Sequence, residues 1–198
     1  TLSRDESDTS LLVGDYTVSS SDDDEAALAV QSITSNDTAD IYGNVISNAN
    51  LITALDVELA KITVDTTAPT ATVSQGTAAK FTIEADGSGT LVITGANFSS
   101  IADVNTDVKS ILDWSKVTWD VNGTGSGGGA DLTLSSANIV SAVLTDASTI
   151  NVVLRDDTIA TLQSSASFGG TTEGGEVSDA LDIDAGFLKD IAGNQATQ

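Results

Sequence analysis

After its single proline, Pro69, the chain changes to a period of two. Apolar residues alternate with polar ones in Phe81-Thr82-Ile83, Lys116–Val121 and Thr149–Leu154. Successive side chains of a strand face opposite sides of a sheet, so such runs read as half-buried strands. Ala71-Thr72-Val73, Leu91-Val92-Ile93, Asp131–Leu134, Ile139–Leu144 and Leu181-Asp182-Ile183 fit the same description. Asp86-Gly87-Ser88-Gly89 and Asp146-Ala147-Ser148 sit between adjacent runs as hairpin turns. Gly123–Gly129 reads as a flexible loop, and Val104, Val108, Ile111 and Leu112 suggest one short helix. Short strands at regular spacing predict a mainly β chain, an antiparallel β-sandwich.

The region before Pro69 reads differently, as a smaller mixed helix and strand part over 1–64, with the sandwich over 65–198. Asp65–Thr70 is an extended junction, because proline disfavours helix at the residue before it. Leu11–Val13 is a short apolar run, and Tyr16-Thr17-Val18 reads as a strand. Ser20 or Ser21 before Asp22-Asp23-Asp24-Glu25 predicts a helix running to Ile33, since serine caps free amides and acids favour the positive end of the dipole. A second helix is expected from Ser47, with Leu51, Ile52, Leu55 and Leu59 on one face. Lys61–Val64 then leads into the junction as a strand.

Composition removes whole classes of function. Among 198 residues there is no His, Cys or Met, so ordinary zinc, haem and iron–sulfur ligand sets are absent, as is any histidine base. With 29 acidic and 7 basic residues, the net charge of -22 repels phosphate backbones and argues against nucleic acid as a partner. No apolar run is long enough to span a bilayer. Thr1–Ser10 carries four charged residues and is unlike an export leader, so the expectation is an internal piece of a longer chain. A hydrophobic fraction of 40% and a mean hydropathy of +0.09 argue for a folded chain despite the charge.

Two motifs point to a family. Val64-Asp65-Thr66-Thr67-Ala68-Pro69 resembles the linker that opens each module in long bacterial surface proteins with repeated immunoglobulin-like domains. Leu188-Lys189-Asp190-Ile191-Ala192-Gly193-Asn194 resembles the D-x-x-G-N turn near the close of such modules. Together they bracket about two thirds of the chain. Ala39–Val64 is similar to acidic helix–strand repeats of adhesin and surface-layer proteins. The resemblance implies an immunoglobulin-like sandwich, export to the bacterial cell surface, calcium at module junctions and no catalysis. The 65–198 segment is longer than the usual module of about 100 residues.

Calcium takes six to eight hard oxygen ligands, and short aspartates on turns supply them. Carrying the family's junction site over by position gives Asp65, Asp190 and Asn194. The competing reading is that Asp and Asn serve turns by local hydrogen bonding alone. Asp156 and Asp157 with Asp182 or Asp184 form a second candidate set across neighbouring loops. Asp22–Glu25 is a third, weighed against a plain helix-starting charge run. Asp156 with Asp182 can also be nominated as a pair for carboxylate hydrolysis, with nothing in the sequence to fix their distance. Trp119, on an alternating strand, is expected to anchor a core rather than to offer a sugar platform. The acceptor triplets starting at Asn36, Asn97 and Asn122 carry no assignment in a chain so rich in Ser and Thr.

The expected function is therefore a non-enzymatic, structural segment of a secreted bacterial cell-surface protein, a surface-layer or filament subunit rigidified by calcium. Its partners are neighbouring modules or copies of the same protein, with cell-surface polysaccharide as a further one. A stalk module of a giant calcium-dependent adhesin, a carbohydrate-binding module and a halophilic protein of the cytoplasm remain alternatives at this point.

Overall fold

The computed structural model describes residues 3–4, 7, 12–15, 17–19, 21–25, 27–34, 39–71, 79–121, 131–165, 168 and 179–197. The chain divides into two compact units, Thr1–Thr66 and Thr67–Gln198. The described residues are mainly β, with antiparallel sheets and two α-helices.

In the first unit, β1 (Ser3–Arg4) pairs antiparallel with β2 (Leu12–Val13), and α1 spans Asn48–Leu59. The helix follows the expected spacing. Ser47 caps it, accepting from the Asn50 amide at 3.3 Å, and Leu51, Ile52, Leu55 and Leu59 form its half-buried side. The helix expected from Ser21 to Ile33 does not form. Glu25 instead makes a two-bond bridge to Val64, at 2.9 and 2.8 Å, and the Leu28 amide donates to Ile62 O at 3.1 Å. The Asp24 carboxylate accepts from the amide and hydroxyl of Thr66, at 2.6 and 2.8 Å. Four adjacent acids repel one another on a short helix, and a short helix is marginal without packing. Extended pairing with 62–66 satisfies the same backbone and gives an acidic side chain two donors. Thr17 and Val18 lie outside any strand, and Lys61–Val64 is reduced to the single bridge at Val64.

The second unit holds the core. Five strands form one sheet: β3 (Thr70–Ala71) and β4 (Ala79–Ile83) both pair with β5 (Gly89–Ala96), followed by β9 (Thr149–Leu154) and β8 (Ile139–Asp146). A second sheet has the order β10 (Ala180–Ile183), β6 (Val117–Asp120), β7 (Leu132–Thr133). Leu91, Ile93, Ile150, Val152 and Leu154 of the first sheet and Val117, Trp119 and Leu181 of the second belong to one buried cluster. Trp119 is a core anchor: its ring meets Phe81 edge-on at 4.8 Å, and its indole donates to Asp179 Oδ2 at 2.9 Å.

The hairpins close where the turn residues placed them, Glu84–Ser88 between β4 and β5 and Asp146–Ser148 between β8 and β9. Three features depart from the sequence reading. First, 101–112 is not a helix but a sequence of turns that runs along the free edge of β8. Asn105 N donates to Leu144 O (2.7 Å), Leu144 N to Thr106 O (3.0 Å) and Val108 N to Ala142 O (2.7 Å), while Asp107 Oδ1 accepts from Ala142 N (3.0 Å). An edge so covered cannot recruit a foreign strand. Second, β8 bulges between Ile139 and Ser141, which shifts the inward phase from Ile139 to Ala142 and leaves Val140 exposed. Third, Asp156–Gln163 is a helix, α2, which buries Ile159 and Leu162. Gly123–Gly129, Tyr16, Thr72 and Val73 lie outside the described residues.

Candidate functional site

The closing turn of the second unit carries two of the sequence-nominated residues. Gly193, at φ +103°, lets the chain reverse between Asp190 and Asn194. Asp190 Oδ1 accepts from the amides of Gly193 and Asn194, both at 2.7 Å, and Oδ2 accepts from Asn194 Nδ2 at 2.9 Å. The Asp190 amide donates to Asn194 O (3.1 Å), and Gly193 N donates to Asp190 O (3.2 Å). Lys189 and Gln195 close the turn with an antiparallel bridge. Asp190 is buried, with 5% of its surface exposed. The turn brings Asp190 and Asn194 side by side, and their first use is to hold one another.

Sequence reasoning missed a second copy of this turn. Asp40-Ile41-Tyr42-Gly43-Asn44 has the same D-I-x-G-N pattern as Asp190–Asn194. Asp40 Oδ1 accepts from Tyr42 N (2.8 Å) and Asn44 N (2.9 Å), and Oδ2 from Asn44 Nδ2 (2.7 Å). Asp40 N donates to Asn44 O and Gly43 N to Asp40 O, each at 3.0 Å, and Ala39 bridges Val45. The side-chain amide of Asn44, then its backbone amide, hold the Asp40 carboxyl below its ordinary value. The repeated pentapeptide is the sequence signal that marks it.

Other aspartates serve turns by the same means. Asp86 Oδ1 accepts from the amide (3.0 Å) and hydroxyl (2.7 Å) of Ser88, and Asp146 Oδ1 from those of Ser148, both at 2.8 Å. Asp113 holds Ser115 in this way as well, at 3.2 and 2.6 Å. The serine hydroxyl, then the serine amide, lower the Asp86 and Asp146 carboxyls from the ordinary 3.8. Five of the 29 acidic residues are thus engaged in turn chemistry.

The remaining nominated residues are dispersed. Asp65 follows the Val64 bridge in the first unit and is half-buried, whereas Asp190 and Asn194 belong to the second. Asp156 and Asp157 do not lie on a loop. They form the exposed first turn of α2, where the helix dipole favours anions, and Asp157 lies 3.4 Å from Arg155. Asp182 is on β10, opposite Thr118, and Asp184 follows that strand, its amide on Lys116 O at 2.8 Å. Among the described residues, no group of three or more acidic side chains is placed to hold a metal ion. Asp120, which sequence reasoning did not single out, is the most deeply buried carboxylate among them, 1% exposed. It lies on β6 beside Trp119 and therefore on the opposite face from the core.

Electrostatics set the wider frame. Two ion pairs join described residues to one another, Glu58–Lys61 at 2.8 Å and Asp157–Arg155 at 3.4 Å, and both are exposed. A cleft of about 660 Å³ opens beside Asp107, Lys109, Asp113, Ser135 and Trp114. Trp114 is 3% exposed and packs edge-on to Phe187 at 5.5 Å, so its ring offers no open face for a sugar to stack on. No helix among the described residues is long and apolar enough to cross a membrane. Comparison with known protein families, with curated proteins and with solved structures returns no match.

Proposed function

We propose that this chain is a structural, non-catalytic segment of a secreted bacterial cell-surface protein, a surface-layer or filament subunit whose assembly calcium supports. In this reading the two sheets of 67–198 form an immunoglobulin-like sandwich, and neighbouring modules or copies of the chain are its partners. One observation carries it: a net charge of -22 stands against two exposed ion pairs among the described residues. Such self-repulsion opposes a compact, closely assembled state unless cations relieve it. The oxygen-only donor set, with neither His nor Cys, favours a hard cation, and calcium accepts carboxylate, amide and backbone oxygens together. Asp190 and Asn194 of the second unit and, as a separate position, Asp65 of the first are the ligands proposed first, and Asp156, Asp157, Asp182 and Asp184 the second set.

At an affinity of about 10⁻⁴–10⁻³ M, a millimolar supply adds only roughly 0.4–1.4 kcal/mol per site. The larger readout is therefore assembly. Melting curves and sedimentation velocity in calcium, in magnesium and in sodium chloride of matched ionic strength test the proposal. Calcium alone is expected to raise the melting temperature and the particle size. Equal responses to all three salts indicate general charge screening and remove the calcium part of the reading.

The recurrence of the D-I-x-G-N turn supports a second reading, a stalk module of a long calcium-dependent adhesin. Calcium would then lengthen and stiffen a single chain, seen as a smaller sedimentation coefficient without a gain in mass.

A further inference from the structure

The cleft of about 660 Å³ in the second unit has no part in the function proposed above. It is lined by the 107–115 segment and by Ser135 and Ser136, just ahead of β8. Three charged side chains line it, and the chain itself fixes one side of each. Asp107 Oδ1 accepts from the amides of Lys109 and Ala142, both at 3.0 Å. Asp113 Oδ1 accepts from the amide and hydroxyl of Ser115, at 3.2 and 2.6 Å. Lys109 is half-buried, and its Nζ donates to Ile139 O at 2.5 Å.

The other side of each group is spare. Among the described residues, Oδ2 of Asp107 and of Asp113 accepts no bond, and the ammonium keeps two of its three protons unused. No ion pair joins Lys109 to either carboxylate. The exposed Ser110 and Ser136 hydroxyls are unengaged as well. Turn chemistry accounts for the locked side of each aspartate. It does not account for locked groups of both signs around one cleft. Acceptors and donors held in place before a ligand arrives are what a binding site requires.

The mixture of groups selects the ligand. An anion meets two carboxylates here, and a cation meets the ammonium. A peptide or a lipid finds little apolar wall, since Leu112 and Trp114 are only 6% and 3% exposed. A hydroxyl group both donates and accepts, so it satisfies carboxylate, ammonium and serine alike. The volume lies within the ordinary range of ligand sites, roughly 300–1,000 Å³, and exceeds what one free amino acid fills.

We propose that this cleft binds an uncharged saccharide, held at the edges of its rings by Asp107, Lys109, Asp113, Ser110 and Ser136 rather than stacked on Trp114. An open cleft without a stacking ring sets the affinity on the order of 1 mM. The site needs no calcium, so its failure and the failure of the proposed function are separate results.

Proton–nitrogen NMR spectra of the 198-residue chain, recorded in chelator, test it by titration with maltotriose, cellotriose, mannotriose and triacetylchitotriose. At least one of these sugars is expected to shift amides of 107–115 and 135–136 in a saturable way. Lys109→Met is expected to weaken that binding about tenfold, the worth of a bond from a charged donor. Lys109 also ties down Ile139 O, so Ser136→Tyr is the second variant. The Ser136 hydroxyl holds nothing, and the new ring is expected to fill the cleft, abolish the shifts and leave the melting temperature unchanged. No saturable shift from any of the four sugars overturns the proposal. So do shifts of the same amides by glycine or sodium sulfate but not by sugar, which mean a zwitterion or anion site, and sugar shifts that survive Ser136→Tyr, which place the binding elsewhere.

Discussion

Asp190→Ala removes the acceptor of three hydrogen bonds at once: the Gly193 and Asn194 amides at 2.7 Å and the Asn194 side-chain amide at 2.9 Å. A bond to a charged acceptor contributes about 1.5–3 kcal/mol net. Gly193 is exposed and Asn194 half-buried, so water re-solvates part of what is lost. About 1 kcal/mol per bond is the reasonable share, giving a total of about 3 kcal/mol. For a unit of this size, roughly 3–5 °C accompanies each kcal/mol, so the melting temperature is expected to fall by about 10 °C. Asp190→Asn keeps a carbonyl oxygen for the two backbone amides but turns a donor toward Asn194 Nδ2, and about half the loss is expected. The assay is thermal unfolding followed by circular dichroism and tryptophan fluorescence, with chelator and with calcium. The loss in chelator reports the turn, and any further loss confined to calcium reports a ligand role. If Asp190→Ala melts with wild type in chelator, the turn hydrogen bonds do not hold the closing end and the reasoning fails.

Three further outcomes follow from particular residues. A Cβ at Gly95 would run into the backbone oxygen of Thr70 and lie within 2.6–2.7 Å of the Phe98 ring, so Gly95→Ala is expected to part β3 from β5. It should cost about 1–3 kcal/mol, read as a lower urea midpoint with early amide exchange at 70–71. Trp119→Phe loses the bond to Asp179 and shrinks the edge contact with Phe81, an expected cost of about 2 kcal/mol by urea titration; an unchanged midpoint would deny Trp119 its anchoring part. For pH, the carboxyls of Asp86 and Asp146 are held below 3.8 in the folded chain. Their contribution is therefore present above 3.8 and is lost as pH falls through the lower, folded values, while relief of the -22 charge acts the opposite way from neutrality down. Ser148→Ala should move the Asp146 carboxyl back up toward 3.8 in a carbon-detected NMR titration, and an unmoved titration would dismiss the serine as the cause.

Local chemistry is what the sequence settled by itself. Asp86–Ser88 and Asp146–Ser148 close their hairpins through bonds that span two residues, so no distant part of the chain is needed to specify them. Ser47 and the Leu51, Leu55, Leu59 spacing specify α1 within its own length. The alternation in β6 and β9 placed Trp119, Ile150 and Val152 on the inner face before any partner strand was known. The D-I-x-G-N turns belong here too, since each is complete within five residues, and the earlier copy was in plain view.

Tertiary structure decided everything whose hydrogen-bond partner lies far along the chain. Asp22–Glu25 has a respectable helix start, yet 62–66, some forty residues away, offers extended pairing that the segment alone does not reveal. The 101–112 segment has helical spacing, but the bare edge of β8 needed covering, and 105–108 supplies the amides and carbonyls. The bulge at Val140 sets which β8 residues point inward, and only the pairing with β9 creates it. The burial of Asp120 likewise arises from its place in a folded sheet. For the nominated cation ligands, sequence proposed the residue types, and the fold gave three of the seven a nearer occupation: Asp190 and Asn194 to each other, Asp157 to its helix start and Arg155. A carboxylate's neighbours in space, not its neighbours in sequence, determine what its charge is for.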